Sequence, residues 1–532
     1  MDTKLFSKSC NNEPREYSIA ELKNMSNKIG LITTRQDYNQ LCDGLRNYFF
    51  KNGIQTEEQL ERHIPNGYTI ISEASTRKLG ENIDLDILLN SGLDDFLRHV
   101  EYFQNIENYS SKIEKIGENS VNAFVLRLEY TISGQTYSVV LKGSQTDDSD
   151  SLVYEYLVGQ CINLYSRFYP CFAKTYSVGV FADLPCYLQF LKISNETTLK
   201  NPFNTYIQLL DLTNIENMVS NGCKHNQHLV IFTQYMPTKL SLKQFLINIS
   251  IQISDTLFER YIIKNENLHK LYELTSILHM IYQLLSSFSN MFTHYDLHLK
   301  NLILVEVPDN KFINVLYHYP DGKVLGYNMS YIPIIIDYGR SFINCNQMVD
   351  SLGNSKEIMK IVCSKDVKRS PSNPTCSDIC GNKTGYTYST DYDEKKNTFQ
   401  PSGIENIFID YTRKNISHDC RLLHEILVYF KFTELSNDSF IIKKLVGGIF
   451  NRLHKMDNRF GTHEIELSTP SLFGKFFKKE PTIDNVIMAA NKLTEIISDP
   501  KFNINNDNLL INKTLYGTLH IWTDLSRPFE FR

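Results

Sequence analysis

One tryptophan in 532 residues, no apolar run near the length of a membrane span, and no paired framework among 11 cysteines are the first features of this chain. A spanning helix needs about 18 to 20 consecutive apolar residues, so no membrane role is expected. The opening MDTKLFSKSCNN has no apolar centre of a secretory signal. Cysteines without a spacing pattern point to free thiols in a reducing, intracellular compartment. Excess positive charge is missing as well: 55 Lys and Arg stand against 60 Asp and Glu, a net charge of −5. A nucleic-acid binder would show a basic face, and short clusters such as Lys475, Lys478 and Lys479 read as solvated surface. Nucleic acid is therefore not expected as a partner.

What is abundant is aromatic: 31 Tyr and 31 Phe in a chain that is 42% hydrophobic. Side chains of that size imply a large core. The length suits two or three domains, or one large two-lobed enzyme with insertions. Residues 1–108 read mostly helical, as at 36–51 and 57–63. Asp84, Asp86, Asp94 and Asp95 lie among leucines and isoleucines there, read as helix starts and solvated faces.

From about Ser111 the period changes to that of strands. The run KIGENSVNAFVLRLEYTISGQTYSVVLKG predicts strand, turn, strand, a turn at Ser133-Gly134, and strand. Gly117 opens the first turn. Asn119 and Asn122 follow, and Asn tolerates left-handed backbone next best after Gly. The third strand ends in Lys142, and a helix-like segment carries Glu155, 13 places on. The run HLVIFTQYMP from His228 predicts a buried strand. A helix is expected over 241–251, and a longer one from Leu268 to Phe288, with apolar residues three or four apart.

That helix leads into THYDLHLKNLIL, residues 293–304. In this loop Asp296 precedes Asn301 by five places. An Asp in such a loop can orient or deprotonate a hydroxyl, while an Asn oxygen holds a metal ion beside it. Pro308 to Ser330 predicts an enlarged hairpin turning at Pro320-Asp321-Gly322. The apolar run Ile334-Ile335-Ile336 then ends in Asp337-Tyr338-Gly339. An irregular segment follows to about 403, holding Cys345, Cys363, Cys376 and Cys380, whose spacing is not that of a zinc knuckle. Asp419 opens an amphipathic helix, and a strand is expected from Leu515 to Trp522.

His294, Asp296, Leu297 and Asn301 fall where the kinase catalytic loop H-R-D-L-x-x-x-N has its residues. Val139-Val140-Leu141-Lys142 is similar to V-A-I-K, and Asp337-Tyr338-Gly339 to D-F-G. Taken in order, these motifs resemble the protein-kinase-like superfamily. Together with an Asn-, Ile-, Lys- and Tyr-rich composition, HYDLHLKN also resembles divergent serine/threonine kinase-like proteins of giant DNA viruses. The resemblance implies an α+β, two-lobed fold: a helical N-terminal extension over 1–108, an N-lobe and hinge over 109–237, and a helical C-lobe over 238–532. A long activation-segment insertion would occupy about 340–403.

It also implies ATP and Mg²⁺ as cofactors. Gly117, Asn119, Asn122 and Val125 would cover the nucleotide. Lys142 would bind the α- and β-phosphates, held by Glu155. Thr233 would face the back of the pocket, and main-chain groups of Gln234 and Met236 would read the adenine. Asp296 would be the catalytic base, Lys300 would reach the γ-phosphate, and Asn301 and Asp337 would hold the metal. His294 would brace the loop, and Asp419 would tie its backbone to the large-lobe helix.

Three departures bear on substrate and control. Tyr295 replaces the Arg that often pairs with an activation-loop phosphate, so activity without that phosphate is expected. His298 stands where protein kinases carry Lys, as in aminoglycoside and choline kinase-like enzymes. No A-P-E follows, only Pro401-Ser402-Gly403. The acceptor is expected to be protein Ser or Thr, with a small alcohol as the alternative. A third reading is a pseudokinase scaffold. A cytoplasmic location is expected, in the host cytoplasm or the virion if the chain is viral. Oligomeric state is left open.

Overall fold

The computed structural model describes residues 38–51, 110–116, 123–132, 135–144, 151–181, 207–209, 229–236, 240–255, 258–345, 414–430, 439–453, 482–510 and 512–532, with isolated positions at 17, 22, 25 and 89 and short pieces within 387–410. Gly117, Asn119, Asn122, the aspartates at 84, 86, 94 and 95, Cys363, Cys376, Cys380 and the 401–403 segment lie outside them. The chain divides into two units, Met1–Glu81 and Asn82–Arg532. In the first, helix α1 (Tyr38–Lys51) buries Tyr38, Cys42, Leu45 and Phe49. Those positions recur every three or four residues and form one stripe, which is what an amphipathic helix needs.

The second unit is mixed α/β. Strands β1 (Ser110–Lys115), β2 (Ala123–Ile132) and β3 (Gln135–Ser144) form an antiparallel meander. Residues alternate across each strand. In β2 Leu126 and Leu128 are buried while Val125, Arg127 and Glu129 are half-buried. In β3 Val139 and Leu141 are buried, with Lys142 on the opposite face, directly across from Val125. Helix α2 (Ser151–Tyr165) follows, then β4 (Thr175–Phe181), β5 (Ile207–Leu209) and β6 (Leu229–Gln234). The sheet order is β1-β2-β3-β6-β4-β5. The apolar run of β6 marks an interior strand, buried from Leu229 through Phe232.

Helix α3 (Leu242–Asn248) is capped by Ser241, whose hydroxyl accepts from the Gln244 N–H at 3.1 Å. It is shorter than the expected 241–251. The next residues, SIQISD, alternate β-branched and polar side chains, which favour a pleated strand. They form β7 (Ser250–Asp255), which pairs with β8 (Phe258–Ile263). Helix α4 (Lys270–Ser287) is buried without a break from Leu271 to Leu285. A helix buried all round belongs in the interior of a large domain, and this one ends at the short strand β9 (Phe292–Thr293).

Beyond the loop, β10 (Leu302–Glu306) pairs with β13 (Tyr331–Ile335), and β11 (Lys311–His318) with β12 (Val324–Met329). Gly322 turns that hairpin at φ 83°, a conformation without penalty only for Gly. Short strand β14 (Phe342–Ile343) pairs with β9. Four two-residue strands follow: β15 (Thr387–Tyr388), β16 (Tyr392–Asp393), β17 (Thr398–Phe399) and β18 (Ile409–Asp410), paired β15 with β18 and β16 with β17. Helices α5 (Arg421–Tyr429), α6 (Val486–Ile497) and α7 (Pro500–Leu509) lead to β19 (Thr514–Trp522) and β20 (Glu530–Phe531). Strand β19 runs parallel to β11, giving a second sheet ordered β12-β11-β19-β20.

The free-thiol expectation needs correction. Cys161, on α2, forms a disulfide with Cys345, 184 residues away. Cys42 is disulfide-bonded too, while Cys171 and Cys420 are free and buried. No spacing pattern could show the Cys161–Cys345 link, because packing of α2 against the 341–345 segment makes it.

Candidate active site

Lys142 is the centre of the site. Its Nζ donates to both Glu155 carboxylate oxygens, at 2.9 and 2.7 Å, and to Asp337 Oδ1 at 2.9 Å. Strand alternation aims Lys142 off the core face of β3. Glu155 reaches it from the first half of α2, and Asp337 from just past the end of β13. Burial disfavours the ammonium, but Asp337 and Glu155 outweigh it and hold Lys142 above the ordinary lysine range. Burial pushes the Glu155 carboxyl up to about 7 against the pull of Lys142. It acts on Asp337 the same way, yet there Lys142 wins and brings the carboxyl down to about 2. The outcome is a charged lysine beside an ionised Asp337.

Asp337 has φ 67°. A non-glycine residue in that region is uncommon and costs of order 1–3 kcal/mol, a strain found most often at functional sites. Gly339 follows close by: a Cβ there would make ordinary contacts, 3.4 Å from Glu155 Oε2 and 3.7 Å from Asp337 Oδ1. Between them Tyr338 is buried, with Phe172 and His294 edge-on to its ring. Its hydroxyl lies within hydrogen-bond reach of the Ala173 and Ile335 carbonyls, at 3.0 and 2.8 Å. A buried phenol needs such a partner, and these carbonyls let Tyr fill a place that Phe would fill by packing alone.

The 293–304 loop is held mainly from below. Asp419 accepts from the His294 N–H at 2.8 Å and the Tyr295 N–H at 3.0 Å. His294 Nδ1 accepts from the Asp296 N–H, which leaves Nε2–H to donate to the Ile336 carbonyl at 3.0 Å. Tyr295 is fully buried at φ 61°, against Phe342 and His418. Asn301 donates its amide Nδ2–H to the Asp296 carbonyl at 3.0 Å, which makes Oδ1 the acceptor end of the side chain. The Asn301 carbonyl accepts from the Ile336 N–H at 3.1 Å, tying it to the residue before Asp337. One amide oxygen and one ionised carboxylate are hard oxygen donors of the kind Mg²⁺ takes, alongside waters and phosphate oxygens. Asn301 and Asp337 therefore fit the expected metal.

Two arginines that sequence reasoning missed stand at Asp296. Arg421 Nη1 donates to Asp296 Oδ1 at 3.0 Å, and Arg340 Nη1 lies 3.8 Å from Oδ2. Both flank residues already singled out: Arg340 follows Gly339, and Arg421 is two places after Asp419. That adjacency was the available signal. His298 Nε2 is 4.0 Å from Asp296 Oδ1. Burial, aided by Arg421, holds the imidazole down to about 4, although Asp296 opposes this. His298 is therefore neutral at pH 7. Its Nδ1 accepts from the Lys300 N–H at 3.1 Å. The Lys300 side chain is exposed.

At the expected hinge, Gln234 and Met236 are buried. The Gln234 N–H is committed to the Lys174 carbonyl at 2.9 Å. Val125 sits opposite Lys142 on the neighbouring strand. Gly117, Asn119 and Asn122 are not among the described residues.

Neither a protein-family model nor a curated protein sequence matches the chain. Among the solved structures that match is a kinase domain, 15% identical, with a TM-score of 0.23. The match covers 44% of this chain and 52% of that one, so the chain spans about half the length of the kinase domain it matches.

Proposed function

We propose that this chain is an ATP- and Mg²⁺-dependent phosphotransferase of two-lobed, protein-kinase-like fold, with a protein Ser or Thr hydroxyl as its acceptor. One observation carries the reading: Lys142 bridges Glu155 and Asp337 beside a loop on which Asp419 holds the backbone of His294 and Tyr295, next to Asp296. Phosphoryl transfer asks for positioning and charge neutralisation more than for covalent help, and these residues supply both. Lys142 binds the α- and β-phosphates and is kept charged by its two carboxylates. Mg²⁺, held by Asn301 and Asp337, would neutralise charge on the phosphates. Asp296 takes the proton of the acceptor hydroxyl as its oxygen bonds to the γ-phosphorus and the bond to the β–γ bridging oxygen breaks, releasing ADP.

A small-alcohol acceptor is the second reading, favoured by the neutral His298. A cation in that place would serve a protein kinase's γ-phosphate, and here none stands on that side chain. The test is Mg·ATP binding and turnover by the wild type, Asp296→Asn and Asp337→Ala, followed by peptides against small alcohols as acceptors. Asp296→Asn should keep ATP binding and lose about 10²- to 10⁴-fold in turnover, the usual worth of a general base. Asp337→Ala should lose metal-dependent binding. A wild type that binds Mg·ATP without turnover would make the chain a nucleotide-binding scaffold. A wild type that binds none would remove both enzyme readings.

A further inference from the structure

The Asp296 carboxylate is gripped from a second element. Arg421 and Glu425 stand one helical turn apart on α5 and face the same way. Arg421 donates through Nη1 to Asp296 Oδ1 at 3.0 Å and through Nε to Glu425 Oε1 at 3.1 Å. The other Glu425 oxygen accepts from the Leu299 N–H at 3.0 Å. Together with Asp419 on His294 and Tyr295, the 419–425 segment holds the loop at its entry, at its carboxylate and beyond it. The Arg421 side chain is only 15% exposed, as is that of Asp296. Its guanidinium is a planar fork able to reach two carboxylates at once, which a Lys point charge cannot copy.

We propose that Arg421, itself fixed by Glu425, is a positioning residue that sets the Asp296 carboxylate for the acceptor hydroxyl; this rests on the phosphotransferase reading above. Arg421 occupies Oδ1 at 3.0 Å, so the rotation of the carboxylate is set, and Oδ2, with Arg340 Nη1 at the longer distance of 3.8 Å, is the oxygen presented to the proton. A base that must meet a hydroxyl at hydrogen-bond distance gains from such locking, because a displacement of about 1 Å costs on the order of 10²-fold in rate. Among the described residues Arg421 bonds to Asp296 and Glu425 and not to Lys142, Asn301 or Asp337, so its replacement leaves the bonds of those three in place.

A staple serving stability alone would behave differently, and the test separates the two. The full chain is compared as wild type, Arg421→Gln, Arg421→Lys and Glu425→Gln, reading kcat, the KM for ATP, Mg·ATP binding by calorimetry and the melting temperature. Positioning predicts that Arg421→Gln lowers kcat about 10- to 100-fold with KM for ATP and ATP binding unchanged. Arg421→Lys should recover part of the loss, and Glu425→Gln should fall between. If Arg421→Gln does not fold, the two milder variants carry the same comparison. Full kcat in the variants that fold, or a kcat loss that only follows ATP binding and melting temperature, overturns the proposal and leaves the phosphotransferase reading standing. A wild type without Mg·ATP binding overturns both.

Discussion

Lys142 stands between two carboxylates that differ in burial, the Glu155 side chain 6% exposed and that of Asp337 41%. Glu155 is pushed up to about 7 and Asp337 brought down to about 2. The sign for Asp337 follows from its depressed pKa: its stabilisation is complete above the ordinary carboxylate value and is lost as the pH falls through about 2. Lys142→Met leaves a buried carboxylate beside Asp337 with no cation, and such uncompensated charge costs about 3–5 kcal/mol. We expect a lower melting temperature and loss of ATP binding, with the first loss smaller at pH 5, where Glu155 takes up a proton. Glu273 offers a cleaner titration away from the site. Burial pushes its carboxyl up to about 7, although the Ser330 N–H, which it accepts at 2.6 Å, pulls the other way. The folded chain then holds a proton that the unfolded chain releases. Its contribution is complete below about 4.5 and is lost as the pH rises through about 7. In Glu273→Gln, melting temperature should vary less between those pH values than in the wild type.

At the scale of elements, helix α2 decides whether Glu155 meets Lys142. It docks on β4 at Gly159, where a Cβ would lie 2.1 Å from Thr175 Oγ1. Thr175 cannot swing away: it is β-branched, buried, and bonded through its backbone to Gln160 and Asn163 of the same helix. Gly159→Ala should therefore cost about 1–3 kcal/mol by overpacking and weaken ATP binding, both readable by thermal melts with and without Mg·ATP. The other side of α2 is tied to the segment after Gly339. Tyr154 and Tyr165 donate their hydroxyls to the Ser341 and Asn344 carbonyls at 2.5 and 2.6 Å, and Cys161 bonds to Cys345. Peptide mapping without reductant should recover the 161–345 link, and Cys161→Ser should lower stability by about 2–5 kcal/mol.

Across the whole molecule, the last strands complete the second sheet. Strand β19 supplies a parallel partner to β11, the Thr523 N–H donates to the His318 carbonyl at 3.1 Å, and the Phe529 N–H to the Arg167 carbonyl at 3.0 Å. Removing residues 514–532 would strip β11 of that ladder and leave an open, apolar edge, so the truncated chain should aggregate, as size-exclusion chromatography would show. The strand at Leu515–Trp522 was legible from alternation, whereas its partner was not. The same division holds at the site. Sequence alone determined the order and local setting of Lys142, Glu155, Asp296, Asn301 and Asp337, because alternation in a strand and spacing in a loop are encoded within a few residues. Tertiary structure decided that Arg421 grips Asp296, that His298 is neutral, that Gln234 spends its N–H on Lys174, and that Cys161 pairs with Cys345. Each depends on groups brought together from distant positions or on how deeply packing buries a charge, and neither leaves a period in the sequence.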